Sequence, residues 1–295
     1  MVGKPEMIAI GITVPEGPTW CPDGSLIVTS VAEGAIYRIW PEARRKERIA
    51  LTQGGANSSA LATDGGLLVT QNGGLDFRTL PMMPGSGLEG YPLPGPDRIE
   101  AGLQRIRPDG GIERVLGGMQ APNDLAIAAD GTVYFTDPHP WPPPADGKAA
   151  RVMAMARDGT VREVAGGFSM VNGIAAAPDG TLVVTEGNGL IRLSPDGEFE
   201  WIIESVSETH ATDGIKLDTE GRIYMAASAD RGVRIVEDGK VIEHFRFDGE
   251  GFTTNLCFGG EDMRTLFVTD GPGQVWMMKD MPSAGLPLHT WPAPD

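Results

Sequence analysis

Six side chains bearing carbonyl or carboxylate oxygens recur at one spacing: Glu16, Asn57, Asn123, Asn172, Asp213 and Asn255 each stand seven residues before a turn signal. Amide and carboxylate oxygens, without sulfur or imidazole, are the donor set of hard cations, calcium first, then magnesium or manganese. Zinc would enter such a site less readily, since it prefers nitrogen and sulfur. Gathered carboxylates repel one another and are costly to desolvate unless a cation neutralises them. The spacing therefore predicts one divalent cation where the six positions converge.

The turns that set this spacing are Asp23-Gly24, Asp64-Gly65, Asp130-Gly131, Asp179-Gly180, Glu220-Gly221 and a looser one counted from Asp262. Apolar runs such as DLAIA precede them and strand-like runs such as SLIVTS, TVYFTD and TLVVTE follow, which is the signature of a hairpin. Four copies carry a second Asp-Gly step, at Asp109, Asp158, Asp196 and Asp238, so each copy supplies four antiparallel strands. Repeats of this size, roughly 40 to 45 residues, are propeller blades. The expected fold is all-β: a six-bladed β-propeller, four antiparallel strands per blade, with the metal on the axis of the central channel. One domain should span 1–295. Blade two is longer than the rest because of an inserted loop at 71–104, rich in Met, Pro and Leu, that is either a lid or a packed surface loop.

In this fold the innermost strand lines the channel, which places the six oxygen side chains at one mouth. The next strand returns to the same face, where Ser30, Gln71, Asp137, Glu186 and Asp270 form a second set. These are expected to brace strand ends or ring asparagines rather than bind the cation. Closure of the ring needs an outer strand for blade six, from residues 7–12 (MIAIGI) or from 286–291 (LPLHTW). Cys21 and Cys257 lie in inner strands of neighbouring blades at different heights, so two buried free thiols are expected.

Forty-one glycines and 24 prolines fall at turns rather than in a low-complexity tract, consistent with an all-β chain. A formal charge of -16 opposes a phosphate-backbone partner, so no nucleic acid is expected. No apolar stretch is long enough to span a membrane and the start lacks a secretory signal, which makes the cytoplasm the default location. A G-x-S-x-G elbow and an H-E-x-x-H motif are both missing, which argues against serine hydrolase and zinc protease chemistry.

The stretches APNDLAIAADGTVYFTDPHP, VNGIAAAPDGTLVVTEG, TDGIKLDTEGRIYMAA and TNLCFGGEDMRTLFVTD, in that order, resemble successive blades of the gluconolactonase and regucalcin (senescence marker protein) family. The likeness runs from residue 14 to 278. It implies a six-bladed propeller with a divalent metal on its axis that hydrolyses lactones. It also implies Glu16, Asn123, Asn172 and Asp213 as metal ligands and Asn57 as a substrate-facing residue. An arginine that contacts sugar in some members falls here on Ala121, and the 71–104 insertion is apolar. Both leave room for a lactone or ester less polar than a sugar.

On that resemblance the expected reaction is opening of a small-molecule lactone or ester by metal polarisation of its carbonyl, with base-assisted attack of water. Asp213 is the first candidate base and Glu16 the second. Asn57 and Asn255, with His139, Trp141 and His210 on loops at the mouth, are the candidate substrate contacts. Two rival classes use the same ring: a non-catalytic metal-binding scaffold, and a lactone isomerase or lyase. Sequence is silent on the oligomeric state.

Overall fold

A computed structural model describes residues 2–79, 86–88, 93–95, 97–139, 147–208 and 212–292. These residues build six four-stranded antiparallel sheets arranged as a ring, the propeller expected from the repeats, with no helix among them. The inner strands are Pro15–Trp20, Ala56–Leu61, Leu125–Ile127, Val171–Ala176, Thr212–Leu217 and Phe252–Gly259. Each touches its two neighbours around the circle, the sixth meeting the first.

Ring closure follows the first of the two alternatives. The N-terminal strand Glu6–Ile10 pairs with Gln274–Met278 and completes blade six. The competing segment crosses the ring instead: Leu286 N donates to Leu217 O (3.0 Å) in blade five, and Trp291 N to Leu61 O (2.8 Å) in blade two.

The burial of each strand follows its place in the blade. Second strands such as Leu26–Ser30 and Leu182–Glu186 are buried along their whole length, because the faces of both adjoining blades cover them. They therefore read as continuous apolar runs instead of alternating ones. The outermost strand Arg45–Leu51, RKERIAL, is mostly exposed and charged, which protects its open edge from pairing. Six of the apolar clusters each fill one junction between adjacent blades; Ile174, Val184 and Tyr134, for example, join blades three and four.

The Asp-Gly steps serve two kinds of turn. At Asp23-Gly24 only the glycine has positive φ (81°), and Gly24 N returns to Cys21 O at 3.0 Å, the pattern of a three-residue hairpin loop. At Asp238-Gly239 both residues are left-handed (49° and 71°), and Glu237 pairs directly with Lys240, a two-residue turn. The aspartates also hold the turns by accepting backbone N–H groups two residues on, as in Ser25 N to Asp23 Oδ1 at 3.0 Å.

Of the insertion in blade two, residues 80–85, 89–92 and 96 lie outside the described residues, so the lid expectation is partly beyond them. The described Leu88 is buried against Val14, Val31 and Phe252 of blades one and six. The insertion thus reaches across the mouth face to the far side of the seam.

Candidate metal centre

Five of the six inner strands carry a bulge near the start, where two residues oppose one on the second strand. The bulge pairs are Glu16-Gly17, Asn57-Ser58, Asn172-Gly173, Asp213-Gly214 and Thr254-Asn255. In blade three, Asn123-Asp124 is held the same way around Thr136, through Asn123 N to Thr136 O and Thr136 N to Asp124 O. A bulge re-aims side chains that a regular strand would alternate between faces. The first members form the oxygen ring and the second members form the layer below.

By this register the ring position of blade six is Thr254, and Asn255 belongs one residue deeper. The hairpin of blade six is one residue pair longer, ending at Gly259–Thr265, so counting back from its turn stops one residue short. Asn255 is fully buried, and its amide is used at both ends. Its Nδ2 donates to Glu16 Oε2 (3.0 Å), and its Oδ1 accepts from Leu256 N (2.8 Å). A Cβ on Gly214 would stand 2.1 Å from Asn255 Oδ1, so a glycine there makes room for that side chain.

A band of threonines holds the ring. Thr70, Thr136 and Thr269 accept the backbone N–H of Ser58 (2.8 Å), Asp124 (3.0 Å) and Asn255 (3.0 Å). Thr29, Thr70 and Thr136 also donate to the carbonyl of the ring asparagine in the next blade, as in Thr136 Oγ1 to Asn172 O at 2.6 Å. Each hydroxyl therefore fixes a ring residue relative to its neighbouring blade. Blade five has Ala226 in this place.

What remains unpaired lies at four of the six ring positions. The buried Oδ1 atoms of Asn57, Asn123, Asn172 and Asp213 have no hydrogen-bond partner among the described residues. Buried polar oxygens are rarely left so, and each costs on the order of 1–3 kcal/mol when orphaned. Burial pushes Glu16 up to about 8, reinforced by the Asp124 charge and opposed by the Gly17 N–H and the Asn255 amide. Asp213 is raised well above the usual carboxylate range by burial, then by the charges of Glu16 and Asp124. Two carboxyls that resist ionisation beside unsatisfied amide oxygens are what a cation would relieve. No three His, Cys, Asp or Glu side chains gather as a ligand set among the described residues, so the amide oxygens are indispensable to such a site. The residues present fit a hard divalent cation.

Beneath the ring lies an ion pair that the spacing argument did not anticipate. Asp124, fully buried, accepts from Ser58 Oγ (2.6 Å) and Leu125 N (2.9 Å), while its Oδ2 faces the Lys216 ammonium at 3.7 Å. The only signal in the sequence was a second acid directly after Asn123. Lys216 had none, since a lysine in an exposed strand reads the same.

The second set of acceptors braces the strand entrances. Asp137 accepts from Gln120 N (3.0 Å), Ala121 N (2.8 Å) and Arg151 (2.9 Å); Glu186 accepts from Ser169 N (2.9 Å) and Met170 N (3.0 Å). Asp270 takes Arg231 Nη2 at 2.7 Å. These bonds position the loops that lead into the ring residues. His139 is half-buried, two residues after Asp137. Trp141 and His210 lie outside the described residues. Cys21 and Cys257 are buried free thiols.

Comparison with solved structures gives the same fold. A gluconolactonase from Xanthomonas campestris is 21% identical with a TM-score of 0.73, covering 94% of this chain and 89% of its own. Regucalcin from Agrobacterium tumefaciens, a calcium-binding protein, is 18% identical with a TM-score of 0.75, covering 98% and 97%. Virginiamycin B lyase from Staphylococcus aureus is 15% identical with a TM-score of 0.63, covering 94% and 99%. A search of curated proteins found no match. The SMP-30/gluconolactonase/LRE-like region model matches residues 14–271, a span that contains the whole oxygen ring, and the chain therefore belongs to that family.

Proposed function

We propose that this protein is a metal-dependent hydrolase that opens a lactone or a related cyclic ester. The carrying observation is the set of four buried, unpartnered ring oxygens on Asn57, Asn123, Asn172 and Asp213, beside the buried carboxyl of Glu16. Glu16, Asn123, Asn172 and Asp213 would hold one divalent cation, calcium first by donor type. When bound, the cation supplies Lewis-acid polarisation of the ester carbonyl and holds the charge that develops on it.

The chain's own residues then have separable tasks. Asp213 has two oxygens, so one would serve as ligand while the other accepts a proton from water, and it is the first choice of base; Glu16, whose Oε2 accepts from Gly17 N and Asn255 Nδ2, is the second. Asn57 is a ring position outside the ligand set, and its unpartnered Oδ1 is suited to accept from a substrate hydroxyl. The insertion at 71–104, anchored by Leu88 against Val14 and Phe252, is rich in Met, Pro and Leu, which favours substrates with an apolar flank over bare sugar lactones.

The test is proton release in weak buffer from aldonolactones, dihydrocoumarin and simple γ-lactones. Chelator-stripped protein is compared with protein reloaded with calcium, magnesium, manganese or zinc. Cation-dependent acid release that Asp213→Asn abolishes with the fold intact is the expected result. Silence across the panel with a cation bound would remove the hydrolase reading and leave a scaffold or a lyase.

A further inference from the structure

The channel has a second compartment at the end opposite the oxygen ring. It is a cavity of about 880 Å³, lined by the lower halves of the inner strands and by residues 286–290, and none of the six ring side chains faces it. Its walls include Trp20, Leu125, Ala177, Leu217 and Phe258, and its rim reaches the exposed Pro22 and Pro178. Its size is that of small-molecule sites, about 300–1,000 Å³, and such sites are mostly apolar with few polar anchors.

The floor is a strap. Residues 286–291 leave blade five at Leu217 and reach blade two at Leu61, and in a ring of six these blades stand opposite each other. Five extended residues reach about 17 Å, and residues 286–290 all line the cavity between these two ends. Both ends are fastened by backbone hydrogen bonds, including Thr219 N to Ala284 O (2.8 Å) and Thr63 N to Trp291 O (2.9 Å). The buried Trp291 side chain anchors the far end.

The ceiling supplies one polar anchor. The Ser58, Ser59 and Thr19 hydroxyls are already engaged, with Asp124, Gly17 O and Ser59 O. Lys216 lines the cavity, with one N–H group donating to Ile215 O (2.9 Å) and Asp124 at 3.7 Å, beyond hydrogen-bond distance. An ammonium has three donors, which leaves capacity toward the cavity. Asp124 already balances its charge, so a neutral acceptor suits it better than a second carboxylate.

We propose that this compartment is a second ligand site, for an uncharged hydrophobic molecule bearing one carbonyl oxygen. The oxygen takes the free Lys216 donors, and the hydrocarbon body lies between the apolar walls and the strap. The site works independently of the cation, since the ring oxygens are not part of it.

Titration calorimetry of the full-length, cation-loaded chain with 2-nonanone, and separately with nonanoate, tests this. The ketone should bind once per chain and more tightly than nonanoate, and chelator-stripped protein should bind it equally well. Ala177→Phe, which fills the cavity, and Leu288→Asp, on the exposed strap, should each weaken binding at least tenfold with lactone turnover unchanged. Leu288→Asp covers the case in which the filling variant misfolds. No saturable binding, tighter nonanoate binding, insensitivity to Leu288→Asp, or loss on cation removal would each overturn the proposal. None of these outcomes bears on cation-dependent lactone opening, which is read separately by proton release.

Discussion

Asn255 in the last blade donates from Nδ2 to Glu16 Oε2 in the first blade at 3.0 Å, a bond between residues 239 apart in sequence. The seam that closes the ring therefore runs through the candidate metal centre, and closure and cation binding share a side chain. Replacing Asn255 by Leu leaves the buried Glu16 carboxyl without one of its two donors, at a cost of about 1 kcal/mol while the carboxyl is protonated and more once it is ionised. The expected result is a lower urea midpoint together with weaker calcium binding by calorimetry. A stability loss with unchanged affinity would separate the seam from the site.

Cation binding should release protons. With Glu16 at about 8, the cation-free protein holds that carboxyl largely protonated at pH 7, and burial beside Glu16 and Asp124 raises Asp213 in the same direction. Ligation requires the ionised forms. Affinity should therefore rise with pH up to about 8, and calorimetry in buffers of different ionisation enthalpy should count the protons released.

The same shifts set a stability window. A carboxyl whose pKa is raised on folding contributes stability below its unfolded value, 4.5 for Glu16, and loses it as pH rises through about 8. The cation-free protein should become less stable across that interval. The melting-temperature gap between calcium-loaded and stripped protein should widen from pH 5 to pH 8. A gap that narrows would contradict the assignment of these carboxyls as ligands.

Thr136→Val keeps the shape but deletes a hydroxyl that accepts from Asp124 N and donates to Asn172 O. Two buried backbone groups then lose their partner, for about 2 kcal/mol of destabilisation. Because the lost bonds position Asn172 against blade three, calcium affinity should fall as well. Denaturant titration and calorimetry on the variant check both effects.

Cys257 is fully enclosed and burial pushes its thiol up to about 12; burial also raises Cys21. The thiolate is the reactive form. Neither should react with a thiol-specific disulfide reagent in the native state, and both should react once the chain is unfolded.

The sequence by itself determined the blades and most of the ring. Asp-Gly steps mark turns through a local backbone requirement, positive φ at glycine, and a constant hairpin length converts turn spacing into strand position. Counting seven residues back therefore found Glu16, Asn57, Asn123, Asn172 and Asp213. The rule missed where hairpin length changed: the extra residue pair in blade six stopped the count at Asn255, one residue short of Thr254. Only the tertiary structure could assign Asn255 to Glu16, pair Asp124 with Lys216, or send residues 286–291 across the channel instead of into a blade. Each of those relationships joins segments whose distance apart depends on the closing of the ring, and a repeat read one copy at a time contains no information about its neighbour across the axis.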